Sequence, residues 1–228
     1  MGYKCHDFCD GQVLSAEALN EMDQGISDIE QQLAEYINTL AITKFTVIDT
    51  ASGKSVLEIG SEVTNVTFAW AFSKTPKTVT LDGVSKDTDS TGDTLSENVT
   101  NNKTWTLVAT NDSASVEKKA SLTFHYCVFY GALSRNATIN SDTIRGLNNK
   151  PQADTKISFS VNPNGKRPVF ALPSDGYDAP IFKIGGFEYE WEKIAERVSV
   201  NDAAGTPVDY DVWMHPQNVT GSITINVT

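Results

Sequence analysis

The spacing of apolar residues changes abruptly near Leu40, and this change limits the folds open to the chain. Before Leu40, apolar residues recur at alternating intervals of three and four. After it, they alternate with polar residues at every second position. The first rhythm is typical of a helix with one narrow apolar stripe, and the second is typical of strands with one buried face. The sequence therefore predicts one N-terminal helix followed by a mainly β structure.

The apolar stripe of the predicted helix has the spacing of a coiled coil. We call this stripe the seam, and its residues are Leu19, Met22, Ile26, Ile29, Leu33, Tyr36 and Leu40. A repeat of 3.5 residues makes a narrower stripe than a helix lying on its own domain needs, so the spacing favours self-association over that alternative. Leucine at a positions with Ile29 at a d position favours three or four strands over two. We predict a trimer.

The predicted helix is also acidic. Ser15 is placed to cap its N-terminus, and Glu17 would complement the positive end of the helix dipole. No Lys or Arg occurs between Ser15 and Leu40. Three such helices side by side would repel one another modestly, because exposed charges are screened in physiological salt.

Two strong period-two runs, "EVTNVTFAWAFS" and "KASLTFHYCVFYG", follow the helix. With the turns between them they predict an immunoglobulin-like β-sandwich over residues 42–134. A polar stretch comes next, with a short helix predicted around Ile144 and Leu147 and capped by Ser141. Shorter strands broken by Pro and Gly then predict a distal β-sandwich domain over 135–228. The predicted architecture is a short N-terminal trimeric coiled-coil helix, within residues 1–41, followed by two small antiparallel β-sandwich domains.

The charge balance excludes one large class of partner. A formal net charge of −11 without runs of Lys and Arg argues against nucleic-acid binding. The sequence also lacks an apolar run long enough for a signal peptide or a membrane span. We therefore expect a protein that is made and folded in a cytoplasm and does not insert into a membrane.

Metal and cofactor sites are not predicted. Cys5, His6 and Cys9 could begin a zinc site, but no second cluster of Cys and His completes the four ligands, and the pair His125 and Cys127 has the same deficiency. "DTDSTGD", residues 87–93, resembles a calcium loop but lacks its acidic fifth-position ligand and its final bidentate Glu. We expect three free thiols, no metal and no cofactor.

Catalysis is not predicted either. The sequence has no Gly-x-Ser-x-Gly motif, no Ser-His-Asp motif and no phosphate-binding loop. A glycan depolymerase would need two carboxylates facing each other across a cleft, and the acidic residues are scattered along the chain. We expect a protein that is not an enzyme, with depolymerase as the disfavoured alternative.

Aromatic side chains are the candidates for contact with a receptor, because their rings combine apolar area with polar atoms. Tyr177 and Asp178, in a loop flanked by Gly and Pro, are the predicted contact residues. Trp191 and Trp213 lie in strand-like stretches and are assigned to the core.

Three segments resemble proteins of tailed-bacteriophage appendages. "FCDGQVLSAEALNEMDQGI" resembles a motif at the front of fibre and baseplate proteins. "LEIGSEVTNVTFAWAFSKTPKTVTLDG" together with "FHYCVFYG" is similar to a β-sandwich module of tail and fibre proteins. "FALPSDGYDAPIFKIGGFEYEW" together with "VDYDVWMHPQNVTGSITINV" resembles the β domain that often follows that module. The three segments cover nearly the whole chain in the order found in that family.

The resemblance implies a structural protein of the virion, assembled in the host cytoplasm. It implies a homotrimeric fibre or appendage subunit that docks on other virion proteins through Phe8, Asp10, Gly11 and Leu14. The β domains would then project for attachment to a glycan or protein of the host cell surface. The alternative is a connector, or a capsid or collar fibre, that holds other virion proteins and never meets the host.

Overall fold

A computed structural model of the chain describes residues 15–112 and 114–228, except for the side chains of residues 34–38. It contains helix α1 (Ala16–Asn38) and a short helix α2 (Ser141–Arg145). The strands before α2 are β1 (Ile42–Asp49), β2 (Val56–Glu58), β3 (Val63–Phe72), β4 (Thr78–Leu81), β5 (Val84–Lys86), β6 (Gly92–Val99), β7 (Lys103–Thr110), β8 (Ser115–His125) and β9 (Cys127–Leu133). The strands after α2 are β10 (Asn148–Pro151), β11 (Ile157–Val161), β12 (Arg167–Pro173), β13 (Phe182–Ile184), β14 (Phe187–Tyr189), β15 (Glu192–Asn201), β16 (Pro207–Met214) and β17 (Ile223–Val227). The mainly β prediction is confirmed.

The described part of the chain has four sheets, with strand orders β1-β3-β6, β2-β8-β7-β4-β5, β10-β9-β12-β16-β15 and β11-β17-β13-β14. By contact, the chain divides into two compact units. The first comprises the described residues up to Phe45 together with Trp70–Thr91 and Thr106–Lys118, and the second comprises Thr46–Ala69, Gly92–Trp105 and Lys119–Thr228. Strands β1, β3, β7 and β8 contribute residues to both units. Within the described residues, no helix is both long and apolar enough to cross a membrane.

The first unit holds α1 and the pairing of β4 with β5 and β7. Its core contains Val79 and Leu81 of β4 opposite Ala109 and Leu107 of β7, all buried as the period-two pattern requires. Trp70 is also buried, and its indole N–H donates to the Ser90 carbonyl at 2.6 Å. This bond satisfies the only polar atom of the Trp70 side chain.

Helix α1 begins as predicted. The Ser15 hydroxyl accepts a hydrogen bond from the Ala18 amide at 3.2 Å, which is an N-cap. The helix ends at Asn38, and Leu40 is buried in the core of the chain itself. The following residue is fixed by Ser73, whose hydroxyl accepts from the Ala41 amide and donates to the Thr39 carbonyl.

The second unit contains an antiparallel pair, β3 with β6, and a parallel pair, β2 with β8. The parallel pair departs from the all-antiparallel sheets predicted. The direction of β2 is free to differ because a long stretch of chain, not a hairpin, separates β2 from β8. Phe68 and Trp105 meet edge to face here, with ring centroids 5.4 Å apart.

In the five-stranded sheet of the second unit, the inner strands β9 and β12 are buried on both faces. Apolar residues on one face, including Phe170 of β12, cluster with Phe159 and Ile225 of the four-stranded sheet. Residues on the other face, including Ala171 of β12, cluster with Ile144 of α2. Strand β12 therefore reads as a nearly continuous apolar run and not as an alternation.

Strand β9 links the two predicted domains. The sequence suggests one long strand through "KASLTFHYCVFYG", but the structure has β8 ending at His125 and β9 beginning at Cys127. Strand β9 pairs with β10 and β12, whose residues lie in the predicted distal domain. The predicted domain boundary at residue 134 therefore separates β9 from β10 and β12, with which it forms one sheet.

The polar stretch after β9 contains the predicted short helix, with a different cap. Asn140 is the N-cap residue, and its side chain accepts from the Thr143 amide at 2.9 Å. Ser141, the predicted cap, is the first helical residue, and its hydroxyl accepts from the Asn201 amide. Ile144 is fully buried, as the apolar pattern indicates.

Candidate functional site

One face of α1 carries a row of large apolar side chains that the described part of the chain leaves exposed. The exposed fractions are 48 % for Leu19, 51 % for Ile26, 57 % for Ile29 and 54 % for Leu33, and Met22 between them is half-buried. Complete burial of one such side chain contributes about 1.5–3 kcal/mol. The row is therefore a surface with a strong tendency to bind another apolar surface.

The seam is shorter in the structure than in the sequence. Leu40 lies beyond the end of α1 and is buried, so it cannot reach a partner helix. The side chain of Tyr36 lies outside the described part of the chain. The exposed row thus runs from Leu19 to Leu33. If the apolar stripe of this helix packed on its own domain, these side chains would be buried, and they are not.

The predicted docking residues Phe8, Asp10, Gly11 and Leu14 lie outside the described residues. So do Cys5, His6 and Cys9. Their predicted roles remain predictions.

Tyr177 has a structural role. Its hydroxyl donates to the Gln152 carbonyl at 2.7 Å, and its ring packs against the core cluster that contains Phe159 and Phe170. Burial raises the pKa of Tyr177 to about 12. The neighbouring Asp178 is exposed, and its carbonyl accepts from the Thr155 hydroxyl at 2.8 Å. Receptor contact by this pair stays a prediction, and the hydroxyl that would contribute most is already engaged.

A groove that the sequence did not predict lies in the second unit, near the hairpin of β13 and β14. We call it the aromatic groove. Its volume is about 560 Å³, and it is lined by Pro180, Ile181, Phe182, Glu188, Tyr189, Glu190, Trp191 and Trp213. This volume lies within the usual range for small-molecule sites, roughly 300–1,000 Å³. Aromatic rings and carboxylates make up most of the lining.

The aromatic groove has a rigid wall. The rings of Phe182 and Trp191 stack with centroids 4.1 Å apart and planes 9° from parallel. Behind them, Phe182 meets Phe170 edge to face at 5.7 Å in the core. Trp191 is thus fixed by packing, while its buried indole N–H has no hydrogen-bond acceptor among the described residues.

The lysines around the aromatic groove already have partners. The Glu188 carboxylate lies 3.5 Å from the Lys183 ammonium, and both side chains of this pair are accessible to water. Lys193 lies 5.3 Å from the ring centroid of Trp213, within cation–π range. Its ammonium also donates to Asp211 at 2.8 Å, a bond that raises the pKa of Lys193. The groove itself therefore presents negative charge.

Asp211 of strand β16 binds two residues of β15 and the residue that follows β12. It accepts from the Lys193 ammonium, from the Ser174 hydroxyl at 2.7 Å and from the Arg197 amide at 3.1 Å. Burial alone would raise the pKa of Asp211, but these hydrogen bonds outweigh burial and lower it. Arg197 has a positive φ of 47°, an unfavourable conformation that the bond to Asp211 helps to maintain.

Asp211→Asn should lower the free energy of unfolding at pH 7 by about 1–3 kcal/mol, the range for a partly buried charged hydrogen-bond acceptor. Because the pKa of Asp211 is lower in the folded state, its stabilisation is complete above the unfolded pKa. The stabilisation is then lost as the pH falls through the folded value. In urea denaturation, the difference in stability between Asp211→Asn and the wild type should therefore begin to shrink as the pH falls below about 4.

The control for this prediction is Asp112→Asn. Asp112 pairs with Lys77 on the surface, and both side chains are mostly exposed, so its loss should cost less than about 1 kcal/mol. An Asp211→Asn variant as stable as the wild type at pH 7 would show that these hydrogen bonds do not stabilise the fold.

Cys127, one of the three thiols that the sequence predicts to be free, is a free cysteine of strand β9. It is buried, and its Sγ lies 3.8 Å from the Asn149 amide oxygen. Burial raises its pKa to about 12, so the thiolate that metal binding and nucleophilic attack require does not form at neutral pH. Among the described residues, no group of three or more His, Cys, Asp or Glu is placed to hold a metal ion. In residues 87–93, whose sequence resembles a calcium loop without its full set of ligands, the Asp87 carboxylate accepts from the Asp89 amide at 3.0 Å.

Comparison with known proteins gives little. No family model matches the chain, and no curated protein matches it. A solved structure described as "Titin Ig tandem domains A164-A165" aligns with 13 % identity over 79 % of this chain and 82 % of that chain, with a TM-score of 0.22. At this TM-score the likeness says nothing about fold or function.

Proposed function

We propose that the chain is a structural subunit of a tailed-bacteriophage virion. In this proposal it forms a homotrimeric fibre or appendage, docks on other virion proteins through its N-terminal segment and directs its β domains to host attachment. The observation that carries the proposal is the exposed apolar row on α1. The resemblance of three sequence segments to phage appendage proteins supports the placement in a virion.

Trimer formation gives the apolar row a place to be buried. In a parallel coiled coil, the side chains from Leu19 to Leu33 of three copies would pack into one another on the common axis. Each copy would transfer four largely exposed aliphatic side chains out of water. No catalytic step belongs to this proposal, because its chemistry is binding and assembly.

Light scattering on the full chain tests the assembly. The expected mass is three times the chain mass of 24.8 kDa. A monomer at micromolar concentration would overturn the trimeric part of the proposal.

An antibody against the chain tests the placement and the role. The antibody should label particles of the phage that encodes the chain and should block their adsorption to host cells. Labelling without any block of adsorption would favour the connector alternative. Particles that carry none of the chain would overturn the proposal.

Salt should strengthen the trimer. The acids of α1 approach one another in a parallel bundle, and no basic residue of α1 offsets them. Raising ionic strength from about 0.01 M to about 0.1 M shortens the screening length from about 30 Å to about 10 Å and so weakens this repulsion. Sedimentation equilibrium should show tighter association at the higher salt concentration.

The matched variant for the salt prediction is Glu30→Gln. Glu30 follows the d position of Ile29 and so flanks the seam at an e position, where charges of neighbouring helices meet. The substitution should tighten association at low salt and reduce its salt dependence. Weaker association at higher salt would indicate that attractive ion pairs, and not the seam, join the chains.

A further inference from the structure

We propose that the aromatic groove binds a neutral saccharide. The inference rests on the proposed function for its biological setting, since host attachment would make the saccharide part of a cell-surface glycan. Its physical basis is independent of α1, because every lining residue lies in the second unit.

The lining suits a sugar ring. One face of many pyranose rings presents C–H groups, and such a face packs on an aromatic ring, while the hydroxyl groups project outward as hydrogen-bond donors. Tyr189 and Trp191 supply aromatic rings in the groove, and Glu188 and Glu190 supply carboxylate acceptors. Hydrogen bonds to ionised acceptors are about twice as strong as neutral ones.

The charges select a neutral ligand over an anionic one. Among the described residues that line the groove, two are acidic and none is basic. The nearby cations are already engaged, since Lys183 faces Glu188 and Lys193 donates to Asp211 and Glu196. An acidic sugar would therefore meet repulsion from the groove and from a chain whose net charge is −11.

The groove is pre-organised. Stacking of Trp191 on Phe182 fixes the wall before any ligand arrives. His215 is buried next to it, with its ring 5.8 Å from Trp191 and 6.2 Å from Tyr189. A rigid site loses little side-chain entropy on binding, which favours recognition of a ligand with few contacts.

Intrinsic fluorescence gives a direct readout. Trp70 and Trp105 are buried, whereas Trp191 and Trp213 line the groove, so a change on titration reports mainly the latter pair. The probes are the neutral hexasaccharides of glucose, mannose, galactose, xylose and N-acetylglucosamine, with hexagalacturonate as the anionic comparison. We expect saturable binding of at least one neutral probe and weaker binding of hexagalacturonate.

Two exposed residues provide variants that should still fold, unlike a substitution of the stacked Trp191. Tyr189→Ala should weaken binding of the neutral probe about tenfold, and Glu190→Gln should weaken it severalfold. The matched control is Phe187→Ala. Phe187 belongs to the same hairpin and is 74 % exposed, but it does not line the groove, so binding should be unchanged.

Three results would overturn the inference: no saturation by any neutral probe, tighter binding of hexagalacturonate, or equal affinity of Tyr189→Ala and wild type. A trimeric wild type that binds no neutral probe overturns this inference alone. A monomeric chain that still binds overturns only the trimeric part of the proposed function.

Discussion

Ile29→Lys should convert the proposed trimer into monomers. Ile29 lies at a central d position, where three copies of the side chain would meet on the axis of the bundle. Lysine there places three ammonium groups in an apolar core, and burying an unpaired charge costs several kcal/mol per ion. A seam of two to three heptads has too little apolar area to offset this cost.

The β structure should tolerate the same substitution. In the single chain Ile29 is 57 % exposed, so lysine at this position meets water and not a core. The thermal midpoint of the β structure should therefore stay within about 2 °C of the wild type, as for other exposed substitutions. Light scattering measures the loss of association, and circular dichroism measures the retained fold.

The control is Gln31→Lys, which adds the same charge two residues away. Gln31 is exposed and lies at an outward f position, so its lysine would stay in water among acidic neighbours. This variant should remain a trimer. An Ile29→Lys variant that remains a trimer would show that α1 does not hold the assembly together.

Strand β3 could be predicted from the sequence because it has one buried face. Val66, Phe68 and Trp70 alternate with less buried residues, and the structure buries all three. Period-two reasoning needs only this contrast between two faces. Helix α1 was equally accessible, since its spacing and its Ser15 cap depend on neighbours in sequence.

The break between β8 and β9 could not be predicted from the sequence in this way. Cys127, Val128 and Phe129 are all buried, because β9 is covered on both faces. The apolar pattern therefore continues across Tyr126 with no sign of a strand end. The nearby carbonyl of Tyr126 accepts from the Gln152 amide at 3.2 Å, a long-range bond that no local pattern encodes.

The aromatic groove escaped prediction for a related reason. Trp191 and Trp213 occur in strand-like stretches, and assignment to the core is half right, since both pack partly against it. Their remaining surface lines the groove. The groove forms only in the folded chain, because β14 belongs to one sheet and β15 and β16 belong to another. The run "FEYEW", which alternates aromatic residues with glutamates at an exposed hairpin, was the one local signal for such a site.

Close contacts within the second unit join strand β2 to elements after β9. Arg145 of α2 donates to both carboxylate oxygens of Glu58, at 2.6 and 3.1 Å, and also to the Asn201 carbonyl at 2.6 Å. The bond to Glu58 raises the pKa of Arg145, which therefore stays charged. One residue further along, the Ile59 carbonyl accepts from the Ala203 amide at 3.3 Å. We call these contacts of residues 58–60 the β2 clamp.

Gly60 is the tightest point of the β2 clamp. A Cβ atom at this position would lie 2.6 Å from the Ala204 amide nitrogen and 3.0 Å from the Asp202 carboxylate oxygen. The Asp202 carboxylate itself accepts from the amides of Ala204 and Thr206, both at 2.9 Å, so this turn is fixed. The backbone of Gly60 also has a φ of +89°, which side chains other than that of glycine rarely allow.

Gly60→Ala should therefore lower the free energy of unfolding by about 2–5 kcal/mol, of which roughly 1–2 arises from the positive φ and roughly 1–3 from overpacking. Gly53→Ala is the matched control, because Gly53 has a φ of +69° but no described heavy atom other than those of Gly53 itself and its two chain neighbours within 4 Å of the position that a Cβ atom would take. The free energy of unfolding of Gly53→Ala should fall only by the contribution of the positive φ. Urea denaturation of both variants measures the difference, which isolates the close approach of Gly60 to Ala204.

Equal losses would mean that the turn at Ala204 yields without cost and that the clamp does not hold β2 in place. A larger loss in Gly60→Ala would instead show that this contact couples the stability of β2 to that of the elements after β9.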